Sequence, residues 1–126
     1  MLFTLCTILW PMLNFSLHKN YHKIYDNHAP LLQNKIVRNF SSAINGGVFI
    51  LTSLLYLLIG WDFLFRLSLY VTLTYYTWDT HYIILNKKIK EQGLVYHHLI
   101  TILLTNFTLY KCAGYESIYW GYLCIE

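Results

Sequence analysis

FLFRLSLYVTLTYYTWDTHYIIL, from Phe63 to Leu85, is long enough to cross a bilayer and holds a single carboxylate, Asp79. A spanning helix needs about 20 mostly apolar residues. Within the stretch Ser68, Thr72, Tyr75, Asp79 and Tyr82, with Asn86 just beyond, recur at alternating steps of four and three. At helical periodicity they fall inside an arc of about 80°, one polar stripe on an apolar helix. An ionisable side chain is costly in lipid, and it persists there where it faces other helices or a functional site.

Three further apolar stretches lie outward from this one: Met1 to Leu17, about Ala43 to Gly60, and about Leu94 to Cys112. Ile118 to Ile125 begins a fifth, which at 1.5 Å per residue reaches only about 12 Å. The first stretch carries Pro11, expected to kink it. It lacks a basic leader and a small-x-small cleavage site, so it reads as an uncleaved helix. The expected fold class is all-α: a multi-pass transmembrane helical bundle with four spans plus an incomplete fifth. Residues 1–33 form a first membrane helix and cytosolic loop, and residues 34–126 form the main domain, incomplete at its C-terminus.

Composition agrees. Of 126 residues 56% are apolar, 18% aromatic and 12% charged, against roughly 25% charged in soluble domains. Too few charges remain to cover a water-facing surface, and the aromatics exclude disorder. The net charge of +3 builds no nucleic-acid face. It sets topology instead. Lys19, Lys23, Lys35 and Arg38 crowd the first connection and Lys87, Lys88 and Lys90 the third, which places both in the cytosol and the N-terminus in the lumen. The sequons at Asn14, Asn39 and Asn106 then escape glycosylation. Cys6, Cys112 and Cys124 read as small reduced hydrophobes.

The fourth stretch has its own stripe, His98, Thr101, Thr105 and Thr108, flanked by His97. A short connection makes the third and fourth helices antiparallel neighbours, which brings Asp79 and the paired histidines to comparable depth. A carboxylate on one imidazole nitrogen fixes the tautomer and raises the basicity of the other. That nitrogen can serve as general base or as acyl acceptor. The candidate catalytic residues are His97, His98 and Asp79; the candidate substrate-binding residues are Thr72, Tyr75, Tyr82, Thr101 and Thr105. The competing reading is that these groups only bind helices together by hydrogen bonds. His18 and His22 have HxxxH spacing with His28 beyond, but further histidine boxes are missing, and no metal site is expected. His81 lies opposite Asp79 and reads as interfacial or packing. Ser42-xxx-Gly46 and Ala43-xxx-Gly47 are expected to let helices approach closely.

At these residues the sequence resembles the TLC domain family. Asn34-Lys35-Ile36-Val37-Arg38-Asn39-Phe40-Ser41-Ser42-Ala43-Ile44 is similar to the basic-to-small entry of an early family helix. Ser68-Leu69-Tyr70 through Tyr75-Tyr76-Thr77-Trp78-Asp79 resembles the family's Ser-, Tyr- and Asp-containing helix. Tyr96-His97-His98-Leu99 resembles its paired histidines. The likeness covers about Asn34 to Glu126. It implies a multi-spanning protein of the endoplasmic reticulum or a related membrane, in a family that includes ceramide synthases and proteins of lipid sensing and membrane composition. By that likeness His97 and His98 match the paired histidines and Asp79 the helix aspartate. The downstream Asp-Asp pair of ceramide synthases is absent, and the chain stops at Glu126, about where a later family helix begins. The implied function is lipid handling, with acyl-CoA as co-substrate and no bound cofactor if the chemistry is N-acyl transfer to a sphingoid amine. The alternatives are a non-enzymatic lipid-binding or membrane-composition protein, or a shortened domain that needs a partner, either a second copy or another membrane protein.

Overall fold

The computed structural model describes residues 2–24, 30–85 and 92–111, and all of these except Gly60 and Trp61 are helical. The four helices are α1 (Leu2–Ile24), α2 (Pro30–Ile59), α3 (Asp62–Leu85) and α4 (Gln92–Lys111). The class is all-α. Among the described residues one helix, over Leu32–Ile59 of α2 with mean hydropathy 1.9, is long and apolar enough to cross a membrane. The expected fifth apolar stretch, Asn86, His28, the third-connection lysines, Cys112 and Cys124 lie outside the described residues.

Helix ends differ from the ends of the apolar runs. Lys19 and Lys23 belong to α1, and Lys35 and Arg38 belong to α2, where the sequence reading placed a loop. Hydropathy tracks the surroundings of a residue, not its backbone, and no glycine or proline lies between Leu17 and Ile24 to stop α1; lysine is a good helix former. Pro30 opens α2, where its fixed φ and missing N–H suit the first turn. Pro11 sits inside α1 and the helix assignment continues through it.

The α2–α3 connection is as short as it can be. Gly60 has φ +71° and its N–H donates to the Tyr56 carbonyl at 2.7 Å, the left-handed stop that ends many helices. The Leu64 N–H then donates to the Trp61 carbonyl at 2.8 Å, and Asp62 in the first turn of α3 faces the positive end of that helix. The two helices are therefore an antiparallel hairpin with little freedom of register.

α3 packs against each of α1, α2 and α4, and α1 also packs against α2. Every residue of α3 from Val71 to Tyr76 is buried, so the middle of this helix is enclosed on all sides. One cluster joins Cys6 and Trp10 of α1 to Val71, Tyr75 and Tyr76 of α3. Trp10 Nε1 donates to Thr74 Oγ1 at 3.2 Å. A second cluster joins Phe49 of α2 to Phe65 and Leu69 of α3.

Polarity is turned inward. Arg38, Ser41, Asn45, Ser53, Thr72, Asp79, His98 and Thr105 are all buried, while Leu58, Phe15, Leu103, Leu51 and Ile100 are exposed. The small-residue step behaves differently from expectation. Ala43 and Gly47 are exposed, and a Cβ added at Gly47 would meet nothing within 4 Å. The inner face of α2 is formed by Val37, Ser41, Asn45, Phe49 and Thr52, which turns Ala43 and Gly47 outward.

Candidate functional site

Three helices meet at Asp79. Arg38 Nε of α2 lies 3.4 Å from Asp79 Oδ1, and His98 Nδ1 of α4 lies 3.6 Å from Asp79 Oδ2. Each carboxylate oxygen thus faces a different neighbour. Asp79 is 1% exposed, His98 3% and Arg38 6%. Tyr76 holds the imidazole from the side, with ring centroids 4.9 Å apart and planes at 63°. Tyr75 packs edge-on to Tyr76 at 5.2 Å and to Trp10 at 5.0 Å, so α1 supports the site through aromatic contact. In surroundings this enclosed, a carboxylate needs its cation nearby, and the guanidinium supplies it.

A cavity of about 230 Å³ opens on this cluster. Asp79, His98 and Tyr75 form one side with Leu94; Lys35, Arg38, Asn39 and Ser42 of α2 form the other. Asp79 is six residues from Leu85 and His98 six residues from Gln92. The cavity therefore lies roughly 9 Å inside the ends of α3 and α4. No protein family, curated protein or solved structure matches this chain.

The structure brings together only part of the expected set. Asp79, His98 and Tyr75 share the cavity. His97 is exposed, its ring 6.0 Å from Tyr76 and outside the lining; successive helical residues point about 100° apart. Tyr82 is half-buried and stacks on Trp78 at 5.6 Å. Thr101 and Thr105 are buried on α4, where they donate to the His97 and Thr101 carbonyls at 3.0 and 2.7 Å. Their protons are used within their own helix. His81 lines a separate groove of about 450 Å³ with Thr7, Trp78, Leu99 and Ile102, on another face of α3. Among the described residues no three metal-ligating side chains converge.

Arg38, Lys35, Asn39 and Ser42 are the residues that sequence reasoning missed. A signal existed. The Gly60 turn makes α2 and α3 antiparallel, and counting back from it sets Arg38 near the level of Asp79.

A second polar layer lies two turns deeper. Asn45 is seven residues from Arg38, Thr72 seven from Asp79 and Thr105 seven from His98, and seven residues is nearly two full helical turns. Contacts through Asp79 fix the register on both sides, so these three residues share one level. Asn45 and Thr72 are 1% exposed and Thr105 0%. Asn45 Oδ1 and Thr72 Oγ1 have no hydrogen-bond partner, whereas Thr74 and Thr80 on the same helix donate back to Tyr70 and Tyr76.

Proposed function

We propose that this chain is a multi-pass integral membrane protein that handles lipids, and that its Asp79–His98 pair serves acyl transfer from a thioester such as acyl-CoA to a lipid amine. The observation that carries the proposal is a buried imidazole with Nδ1 turned to a carboxylate oxygen at 3.6 Å inside a cavity. Inward polarity and outward Leu, Ile and Phe side chains support the membrane reading, because lipid reverses the usual cost of exposing apolar surface. Lysine placement supports a cytosolic position for the cavity and a lumenal N-terminus. The TLC-like residues support the endoplasmic reticulum or a related membrane.

In this reading Asp79 orients His98, and His98 Nε2 takes the proton from the attacking amine. The C–N bond forms as the C–S bond of the thioester breaks, and the proton passes to the leaving thiolate. Arg38 positions Asp79. The buried place of His98 favours it over exposed His97 as the base.

The test is lipid mass spectrometry of cells without their own ceramide synthases, expressing the parent chain, His98→Ala or His97→Ala. New N-acyl lipids are expected from the parent, none from His98→Ala, and a reduced amount from His97→Ala. An unchanged profile from an inserted parent chain would count against acyl transfer. One observation favours a second reading, non-enzymatic lipid binding. Asp79 joins α2, α3 and α4 through Arg38 and His98, a static arrangement suited to a seat. That reading expects lipid to co-purify without turnover, alone or in complex with a second copy or another membrane protein.

A further inference from the structure

We infer that the cavity beside Asp79 binds a phosphate group. The inference rests on the lipid-handling reading and adds the chemistry of the head group or donor. Lys35, Asn39 and Ser42 stand at steps of four and three on α2 and line the same cavity. They form a row of an ammonium, an amide and a hydroxyl, each able to donate a hydrogen bond. All three are exposed, and among the described residues Lys35 has no carboxylate partner. Beside them on α2 Arg38 adds a second positive charge, and across the cavity Asp79 adds the single negative one. With His98 neutral, the lining carries a net charge of +1, so an anionic ligand fits better than a neutral or cationic one.

Phosphate is favoured over carboxylate by the number of donors. The three side chains and the guanidinium outnumber the two oxygens of a carboxylate, and a phosphate monoester offers three free oxygens. Lysine is a standard point-charge partner for it. Depth agrees as well. Lys35 is five residues into α2, roughly 7.5 Å from its start. A lysine stem near a helix end can carry its ammonium out to the head-group level. A phospholipid and a water-soluble phosphoester such as coenzyme A present the same group.

The experiment is native mass spectrometry of the full chain from phosphatidylcholine nanodiscs doped with phosphatidic acid or with the matching diacylglycerol. The parent is expected to retain phosphatidic acid and not diacylglycerol. Lys35→Gln should weaken that retention about tenfold, the usual effect of losing one charge-assisted hydrogen bond. Asn39→Ala should weaken it less. Both positions are exposed, so neither change threatens folding. Displacement of the lipid by coenzyme A or inorganic phosphate would give a soluble source, and resistance would give the lipid; the phosphate site stands in either case. Equal retention of phosphatidic acid and diacylglycerol by the parent, or unchanged retention by Lys35→Gln, overturns it. Product formation is read separately. Retention without turnover sinks acyl transfer and leaves the phosphate site, and turnover without retention does the reverse.

Discussion

Replacing Asp79 by Asn would keep the shape of the side chain and remove its charge. Arg38 would then hold a guanidinium with a side chain 7% exposed and no carboxylate beside it. At 3.4 Å the Coulomb attraction lost is about 5 kcal/mol at an effective dielectric of about 20. Removing one partner of a buried pair costs about 3–5 kcal/mol, and we expect Asp79→Asn to fall in that range. Arg38→Met should cost less, because the remaining carboxylate keeps the His98 imidazole 3.6 Å away as a polar neighbour. Combining Arg38→Met with Asp79→Leu removes both charges and should recover at least half of the loss. The assay is denaturant unfolding in bicelles followed by tryptophan fluorescence. A cost below about 1 kcal/mol for Asp79→Asn, or a double variant that loses the full sum of its parts, would refute the buried-pair argument.

Other perturbations have different signatures. Gly60→Ala should cost about 1–2 kcal/mol from backbone strain alone, since φ is +71° and the new methyl would meet nothing within 4 Å; a loss much above this in the same unfolding assay would mean the turn is misread. Thr72→Val should be neutral or slightly stabilising, because it removes a buried hydroxyl with no hydrogen-bond partner. Thr74→Val should cost about 1 kcal/mol by removing the acceptor for Trp10 Nε1; equal effects at the two positions would contradict the hydrogen-bond assignment. Asn39 should carry no glycan when the chain is made in microsomes, and a mobility shift removed by endoglycosidase would invert the proposed topology.

Much of the architecture was legible because the chain is so apolar. Stripes at steps of three and four on α3 and α4 led to Asp79 and His98, and a short connection made those helices neighbours. The limits are equally physical. Hydropathy ended α1 near Leu17 and began α2 near Ala43, although the helices run to Ile24 and from Pro30. Lysine and arginine interrupt an apolar run without interrupting a helix. Arg38 therefore looks like a loop charge in the sequence, whereas in the structure it is the partner of the buried aspartate. The buried surface of α3 is also wider than its polar stripe. Val71 to Tyr76 are buried all round, so pattern alone could not tell the α2-facing Thr72 level from the α1-facing Thr74 position. Trp10, which no stripe in the sequence singles out, is 1% exposed and ties α1 to α3.

The Arg38–Asp79 contact also has a consequence for synthesis. Arg38 leaves the ribosome before Asp79 exists, and at about 5–20 residues per second the delay lasts seconds. In that interval α2 carries an uncompensated cation, which in the proposed membrane reading keeps its N-terminal third at the water-facing margin of the bilayer. Only when α3 emerges behind the two-residue Gly60–Trp61 turn can the guanidinium be drawn inward against its carboxylate. In the proposed membrane reading the hairpin, not the single helix, is then the unit that enters the bilayer, and nascent chains arrested before Asp79 emerges should leave a cysteine placed at position 39, beside an intact Arg38, open to water-soluble reagents.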